Sequence, residues 1–194
     1  MRQVEDIGRM VDEFSAFARM PQPVIKPEDA NRLMLEALVL QRNAHPDIAY
    51  ENHAGPEDLK LACDRRLIGQ ALTNLLQNAA DAIAMRDEGN EAGRIETRIT
   101  QEGDMLAFEV TDNGIGLPSA EPPERLTEPY VTHKPKGTGL GLAIVKKIME
   151  DHRGSVSLAA RPEGSGTIAR LVLPLGESPW HSDGSGAKAP QTAN

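Results

Sequence analysis

Asp112-Asn113-Gly114-Ile115-Gly116-Leu117-Pro118 closes an alternating apolar run, Leu106, Phe108, Val110, with a carboxylate on a glycine turn. The alternation reads as a half-buried strand, and the glycines permit positive φ. A carboxylate there can accept a hydrogen bond from an exocyclic amine, while the glycines let a ring approach the backbone. The same residues are ordinary β-turn chemistry. Three other segments tip the balance toward a nucleotide site.

The first is Gly137-Thr138-Gly139-Leu140-Gly141-Leu142, which opens a helix-like run through Met149. Glycines before a helix N-terminus expose backbone N–H groups, and the helix dipole favours anions. Thr138 adds a hydroxyl, and Lys134 and Lys136 stand just upstream, within reach of phosphates. The spacing is not that of a Walker A loop, nor does it follow a strand as a Rossmann fingerprint would. Taken singly it also reads as a flexible loop.

The second is Asn74-Leu75-Leu76-Gln77-Asn78-Ala79-Ala80-Asp81-Ala82. It lies in the longest expected helix, about 65–86, for which Asp64 is a good N-cap. Leu67, Ile68, Ala71, Leu72, Leu75, Leu76, Ala79, Ala80 and Ile83 form its broad apolar face. Asn74, Asn78 and Asp81 follow one polar line beside it. The Asn78 amide oxygen is a candidate Mg²⁺ ligand, and Asn74 could orient a phosphate or water. A solvated helix face carrying two amides is the plainer alternative. The third segment is Gly166-Thr167-Ile168, where Thr167 enters a strand with a hydroxyl able to help hold a base, or simply as a β-branched strand residue.

The chain has 194 residues, 39% hydrophobic and only 3% aromatic, so the expected core is aliphatic. A net charge of −8 without a basic block argues against nucleic-acid binding. One cysteine, Cys63, cannot form an internal disulfide, which fits a reducing compartment. No apolar run approaches the ~20 residues of a membrane helix, and residues 1–6 are no signal peptide.

Residues 1–20 read as a helix with Val4, Ile7, Val11, Phe14 and Ala18 on one seam, ended by Met20-Pro21-Gln22-Pro23, with residues 20–26 as a hinge. A second helix is expected to start at Pro27 and run to His45-Pro46. Short strands are expected at Ile48–Asn52 and Lys60–Cys63 around a Gly55-Pro56 turn, then a hairpin with Gly103 between its strands. Two last strands turn at Gly164-Ser165-Gly166. Residues 113–139 hold few periodic apolar positions, the mark of a lid or a disordered loop. Residues 177–194 have a disordered composition.

In order and spacing these segments resemble the N box (74–82), G1 box (112–118), an F-box-like segment (Glu128–Lys134) and G2 box (137–142) of the ATP-binding domain of sensor histidine kinases. That domain belongs to the superfamily of gyrase B, Hsp90 and MutL. The wording is closest to nitrogen-regulation sensor kinases of the NtrY type. The resemblance implies an α/β fold: a two-layer α/β sandwich (the Bergerat ATP-binding fold), with a mixed sheet of about five strands and helices on one face. It assigns residues 27–175 to this catalytic domain and 176–194 to a disordered tail. Residues 1–20 would be part of the second helix of the dimerisation and phosphotransfer domain, and 21–26 the hinge.

The resemblance further implies ATP and Mg²⁺ as ligands. Asp112 would read the adenine amino group, Asn78 would hold Mg²⁺, and Asn74 and Asn78 would serve catalysis. Gly114, Gly116, Tyr130, Thr132, Lys134, Lys136, Gly137, Thr138, Gly139, Leu140, Gly141, Leu142 and Thr167 would surround the nucleotide, with 119–136 as the lid. Asp81 departs from the basic residue common in related N boxes; it would weaken phosphate contacts or help hold the cation. His45, His53, His133, His152 and His181 all lack the H-box context of a phospho-acceptor, so this chain is expected to bind nucleotide without autophosphorylating. The implied partners are a response regulator and, in the full-length protein, a second copy. The implied place is the cytoplasmic side of a bacterial inner membrane. The alternatives are an ATPase or anti-sigma serine kinase of the same superfamily, or a nucleotide-regulated dimerisation or regulator-binding module.

Overall fold

The computed structural model describes residues 20–86, 91–118, 122–132 and 137–176. Residues 1–19 of the helix expected at 1–20, Lys134 and Lys136, much of the lid, and the tail from 177 lie outside the described residues. The elements run β1 (Lys26–Asp29), α1 (Ala30–Ala44), β2 (Ala49–His53), β3 (Lys60–Cys63), α2 (Arg65–Ala84), β4 (Arg94–Glu102), β5 (Met105–Asp112), a 3-10 turn (Pro123–Thr127), α3 (Gly141–Asp151), β6 (Ser155–Ala160) and β7 (Thr167–Pro174). Five strands form one sheet in the order β2-β4-β5-β7-β6, and β1 and β3 form a separate two-stranded ribbon. Within the large sheet β2 pairs parallel to β4 and the other pairs are antiparallel. This is the mixed five-stranded sheet expected from the sequence.

Alternation sets the layers. Ile95, Ile99, Leu106, Phe108, Val110, Ala169, Leu171 and Leu173 face the helices and join one core with the apolar sides of α1, α2 and α3. Phe108 is the aromatic in that core; the rest is aliphatic, as the low aromatic content requires. The α2 stripe from Leu67 to Ile83 is buried along its whole length.

Two local expectations are corrected. Residues 27–29 do not begin a helix. Pro27 lies in β1 opposite Ala62, and α1 starts only at Ala30. The Asp29 carboxylate accepts the Arg32 N–H at 3.0 Å, so the acid caps the helix from outside its first turn. Nor do β2 and β3 pair with each other across Gly55-Pro56: β2 joins the large sheet and β3 pairs with β1. The loop between them is tied to α1 instead. Asn31 Oδ1 accepts the Gly55 N–H at 2.9 Å, and Asn31 Nδ2 donates to the Pro56 carbonyl at 2.9 Å.

Asp64 joins three parts of the molecule. Its Oδ1 accepts the Arg66 and Leu67 N–H groups that open α2, and its Oδ2 accepts the Val24 N–H at 2.9 Å. Its own N–H donates to Nε2 of the buried His152 at 3.0 Å. His152 Nδ1 lies 2.7 Å from the Ile148 carbonyl, so the ring is the Nδ1–H tautomer, donating on one side and accepting on the other. A histidine without phospho-acceptor context is here a buried tie between the end of α3 and the start of α2. Burial pushes the Asp64 carboxyl up, but the Val24, Leu67 and Arg66 N–H donors together hold it below its usual value.

Replacing Asp64 by alanine is expected to cost about 1–2 kcal/mol of stability, read by urea denaturation at neutral pH. Because the folded carboxyl titrates below its unfolded value, its contribution is full above the ordinary carboxylate range. It is lost as the pH falls through the depressed folded value. The difference between wild type and Asp64→Ala should therefore shrink on acidification; a constant difference would contradict the assignment.

Candidate functional site

An open cavity of about 1240 Å³ lies between α2, the start of α3 and the ends of β5 and β7. α2 brings Asn74, Asn78 and Asp81 to it along one line, as their spacing requires. The β5 end contributes Asp112 and Gly116, the segment before and into α3 contributes Gly137, Thr138, Gly139, Gly141 and Leu142, and β7 contributes Thr167. Thr132 also lines it. The apolar part of the wall includes Ala79, Val110, Leu158 and Ala169, a surface suited to a flat ring.

Three of the expected residues stand differently. Leu140 is fully buried in the core, and what it presents is backbone, its N–H reaching Thr138 Oγ1 at 3.4 Å. Gly114 is a packing glycine: a Cβ there would lie 2.6 Å from the backbone carbon of Ala82. Tyr130 is exposed and holds a positive φ of 67°. Its N–H donates to the Gly139 carbonyl at 3.1 Å, and a Cβ on Gly139 would come within 2.6 Å of its carbonyl carbon. Tyr130 and Gly139 thus close the neck of the loop that carries Thr132, Gly137 and Thr138.

The Asp112 carboxylate is 5% exposed. Its Oδ1 accepts the Gly114 N–H at 2.8 Å, and the Thr167 N–H also bonds it. Burial pushes the carboxyl above its ordinary value, opposed by those two N–H groups and by the charges of Arg161 and Arg86. The carboxylate is oriented by backbone and kept nearly dry, so a hydrogen bond from a ligand amine meets little competition from water. Asn113 does structural work instead: Oδ1 accepts the Arg94 N–H at 2.8 Å and Nδ2 donates to the Ala92 carbonyl at 2.9 Å.

The loop beyond Asp112 is held by residues with no motif of their own. The Ile115 N–H donates to the Ala82 carbonyl at 3.1 Å, and Arg86 Nη1 donates to the Asn113 carbonyl at 3.0 Å. Ser165 Oγ donates to the Gly114 carbonyl at 2.6 Å. A Cβ on Gly166 (φ 135°) would sit 2.0 Å from the Asp112 carbonyl oxygen. Sequence reading took Ser165 and Gly166 as a turn; the Gly-Ser-Gly-Thr run was the one visible signal, and it did not say against what the turn packs.

On α2, Gln77 Nε2 donates to Asp81 Oδ1 at 2.8 Å and lies 3.4 Å from His45 Nε2. Asn74 Nδ2 donates to the Gly141 carbonyl at 3.2 Å, tying α2 to the first turn of α3. Leu140, the residue capping α3, has no side-chain hydrogen bond to offer that turn. The head of α3 thus turns the positive end of a helix dipole toward the cavity with no cap from the Leu140 side chain, which suits an anion.

Residues 63–177 match the family described as histidine kinase-, DNA gyrase B- and HSP90-like ATPases. The chain belongs to this family. The chain is 49% identical over 174 residues to the nitrogen regulation protein NtrY of Azorhizobium caulinodans, a match covering 89% of the chain but 22% of that protein. It superposes on the mycobacterial sensor histidine kinase MprB with a TM-score of 0.68 at 30% identity, over 78% of this chain and 97% of that one. It also shares its fold, with a TM-score of 0.71 at 24% identity, with histidine kinase ThkA, a structure solved in complex with response regulator protein TrrA, over 89% of this chain and 48% of that one. The two solved proteins are histidine kinases by name, and the family is described as one of ATPases. Among the described residues no helix is long and apolar enough to cross a membrane.

Gly166→Ala is expected to lower stability by about 2 kcal/mol or more, since the Cβ meets backbone that cannot move aside. Gly164→Ala, which meets no atom within 4 Å but also has positive φ (75°), should cost less. Urea denaturation of both variants checks the ranking; equal costs would mean that φ alone matters.

Proposed function

We propose that this chain is the ATP-binding catalytic part of an NtrY-type sensor histidine kinase. The whole enzyme would pass the ATP γ-phosphate to a histidine and from there to a response regulator. The observation that carries this reading is the shared cavity of a buried, backbone-oriented carboxylate, Asp112, and the uncapped start of α3. One end suits an adenine amine and the other suits phosphates.

Each residue then has a role. Asp112 accepts from the adenine amino group, with Gly114 and Thr167 N–H groups holding its carboxylate in place. Gly116 leaves room for the ring. The N–H groups of Gly139 to Leu142 and the Thr138 hydroxyl face the phosphates, with Lys134 and Lys136 supplying charge and Tyr130 and Thr132 bordering the pocket. The amide oxygen of Asn78 fits a hard divalent cation, which takes oxygen ligands and keeps several waters. Asp81 beside it adds a carboxylate already paired with Gln77. When bound, ATP and Mg²⁺ supply the transferable phosphoryl group and neutralise its charge. Asn74 orients but cannot take a proton, so the site favours positioning over hydrolysis of ATP by water. The regulator, a second copy of the kinase and a cytoplasmic place beside the inner membrane belong to the same proposal.

Calorimetry with ATP, with and without Mg²⁺, tests it. Asp112→Asn should weaken binding by roughly 10- to 100-fold, the worth of one charge-assisted hydrogen bond. The protein should still melt cooperatively, because burial disfavours the charge it removes. A carboxyl whose folded pKa is raised loses stability as the pH rises from its unfolded to its folded value, and the cost is complete above the latter, so neutralising Asp112 relieves it there. Unchanged affinity in a folded Asp112→Asn variant would refute the adenine assignment. Asn78→Ala should abolish the enhancement of binding by Mg²⁺ while leaving metal-free binding in place.

A further inference from the structure

On the sheet face away from the helices, β2 and β4 bring a second constellation together. Their parallel register sets Glu51 beside Glu96, and His53 follows Glu51 by two residues and so shares its face. Tyr50 and Asn52 turn the other way: the Tyr50 hydroxyl donates to the Gln41 carbonyl, and Asn52 accepts from the buried Thr97. The outward trio is therefore a product of strand pairing, not of a sequence motif.

His53 Nε2 lies 3.1 Å from Glu51 Oε1 and 3.1 Å from Glu96 Oε1. Among the described residues this is the His and carboxylate cluster whose ligand atoms all lie within 4.8 Å of one another. An imidazole nitrogen carries at most one hydrogen, yet here two carboxylate oxygens converge in front of it. One N–H cannot point well at both. A cation between the three atoms serves all of them. With metal–ligand bonds of about 2.0–2.2 Å, neighbouring ligands around a tetrahedral ion stand roughly 3.3–3.6 Å apart; the two His–Glu separations of 3.1 Å are slightly shorter, so a small outward shift of the carboxylates admits the ion.

We propose that Glu51, His53 and Glu96 form a binding site for a divalent transition-metal ion of the zinc class, with water completing its coordination. One nitrogen and two carboxylate oxygens suit zinc, cobalt or nickel better than magnesium, which prefers oxygen alone. The ion takes the neutral imidazole, so any proton on Nε2 leaves to solvent as it binds. Two arginines tune the site. Arg94 pairs with Glu51 Oε2 and leaves Oε1 facing the histidine. Arg98 lies 2.8 Å from Glu96 Oε1, the same oxygen that faces His53, and so competes directly with the metal. The arginine is about half exposed and free to swing into water. Bound metal staples β2, an edge strand, to β4, and so would stabilise the sheet on the side remote from the nucleotide cavity.

The test is titration of the chain with zinc chloride and cobalt chloride by calorimetry, with a thermal melt at each metal. Saturable binding of a single ion is expected, with a visible absorption change on cobalt and a rise in melting temperature on zinc. His53→Ala and Glu96→Gln should each weaken zinc by about tenfold or more and remove the thermal shift. Arg98→Gln should tighten it, because the competitor for Glu96 Oε1 is gone, a gain that mere loss of surface charge at a distant site would not produce. His45→Ala, next to Gln77 near the cavity, should bind zinc as the wild type does. Absence of saturable binding, or undiminished affinity in a folded His53→Ala or Glu96→Gln variant, would overturn the site and leave His53 as a hydrogen-bond partner of the two carboxylates.

Discussion

The hydrogen bonds to the Asp112 carboxylate set the terms for everything around them. A carboxylate at the end of the central strand is nearly dry, and two backbone N–H groups, helped by the charges of Arg161 and Arg86, make that tolerable. The Gly114 N–H comes from the turn that follows and the Thr167 N–H from the first residue of the neighbouring strand. For both to arrive, β7 must begin against the end of β5, and Gly166 must pass the Asp112 carbonyl at a distance no side chain allows. The sheet register and the ligand-reading carboxylate are thus one arrangement.

α2 is the spine on which the rest is mounted. Its apolar stripe meets the sheet, its polar line lines the cavity, and its end receives the Ile115 N–H on the Ala82 carbonyl. Its start is fixed by Asp64, which reaches Val24 before the first strand and, through its N–H, His152 after α3. Chain segments far apart in sequence are therefore ordered by contacts at the two ends of one helix. The cavity between α2 and α3 keeps its shape because neither helix can slide without breaking a capping bond. Asn74 adds a direct link between them at the Gly141 carbonyl.

The two faces of the sheet carry different chemistry for the same physical reason. The inner face is mostly aliphatic and closed by helices; the buried Thr97 is satisfied there by Asn52, and the polar groups of the nucleotide site stand at the strand ends. Among the described residues no helix covers the outer face, so β2 and β4 place charged side chains side by side and in register. Parallel pairing at this edge puts carboxylates opposite one another, and the arginines beside them neutralise what would otherwise repel.

Periodicity alone made α2, the β4–β5 hairpin, the start of α3 and the β6–β7 pair legible, because each is long and alternates or repeats cleanly between apolar and polar. The line of Asn74, Asn78 and Asp81 and the turn after Asp112 were legible too, since helical spacing and glycine conformation are local properties. The β1 strand was not: Pro27 and two acids read as a helix start, and only Asp29 capping Arg32 with β3 alongside makes the stretch extended. The partners of β2 and β3 were also hidden, because pairing depends on which distant strand offers an open edge, and a short strand carries no mark of its mate. Composition and local pattern in this chain determined an aliphatic α/β domain with glycine-bordered polar positions. Only the tertiary structure decided that Ser165, Gly166, Ala82 and Arg86 support the Asp112 loop, that Leu140 turns inward, and that His152 is a buried tie. Those roles arise from groups meeting across 25 to 90 residues of chain, where the energy lies in desolvated hydrogen bonds and close backbone approach that no local spacing encodes.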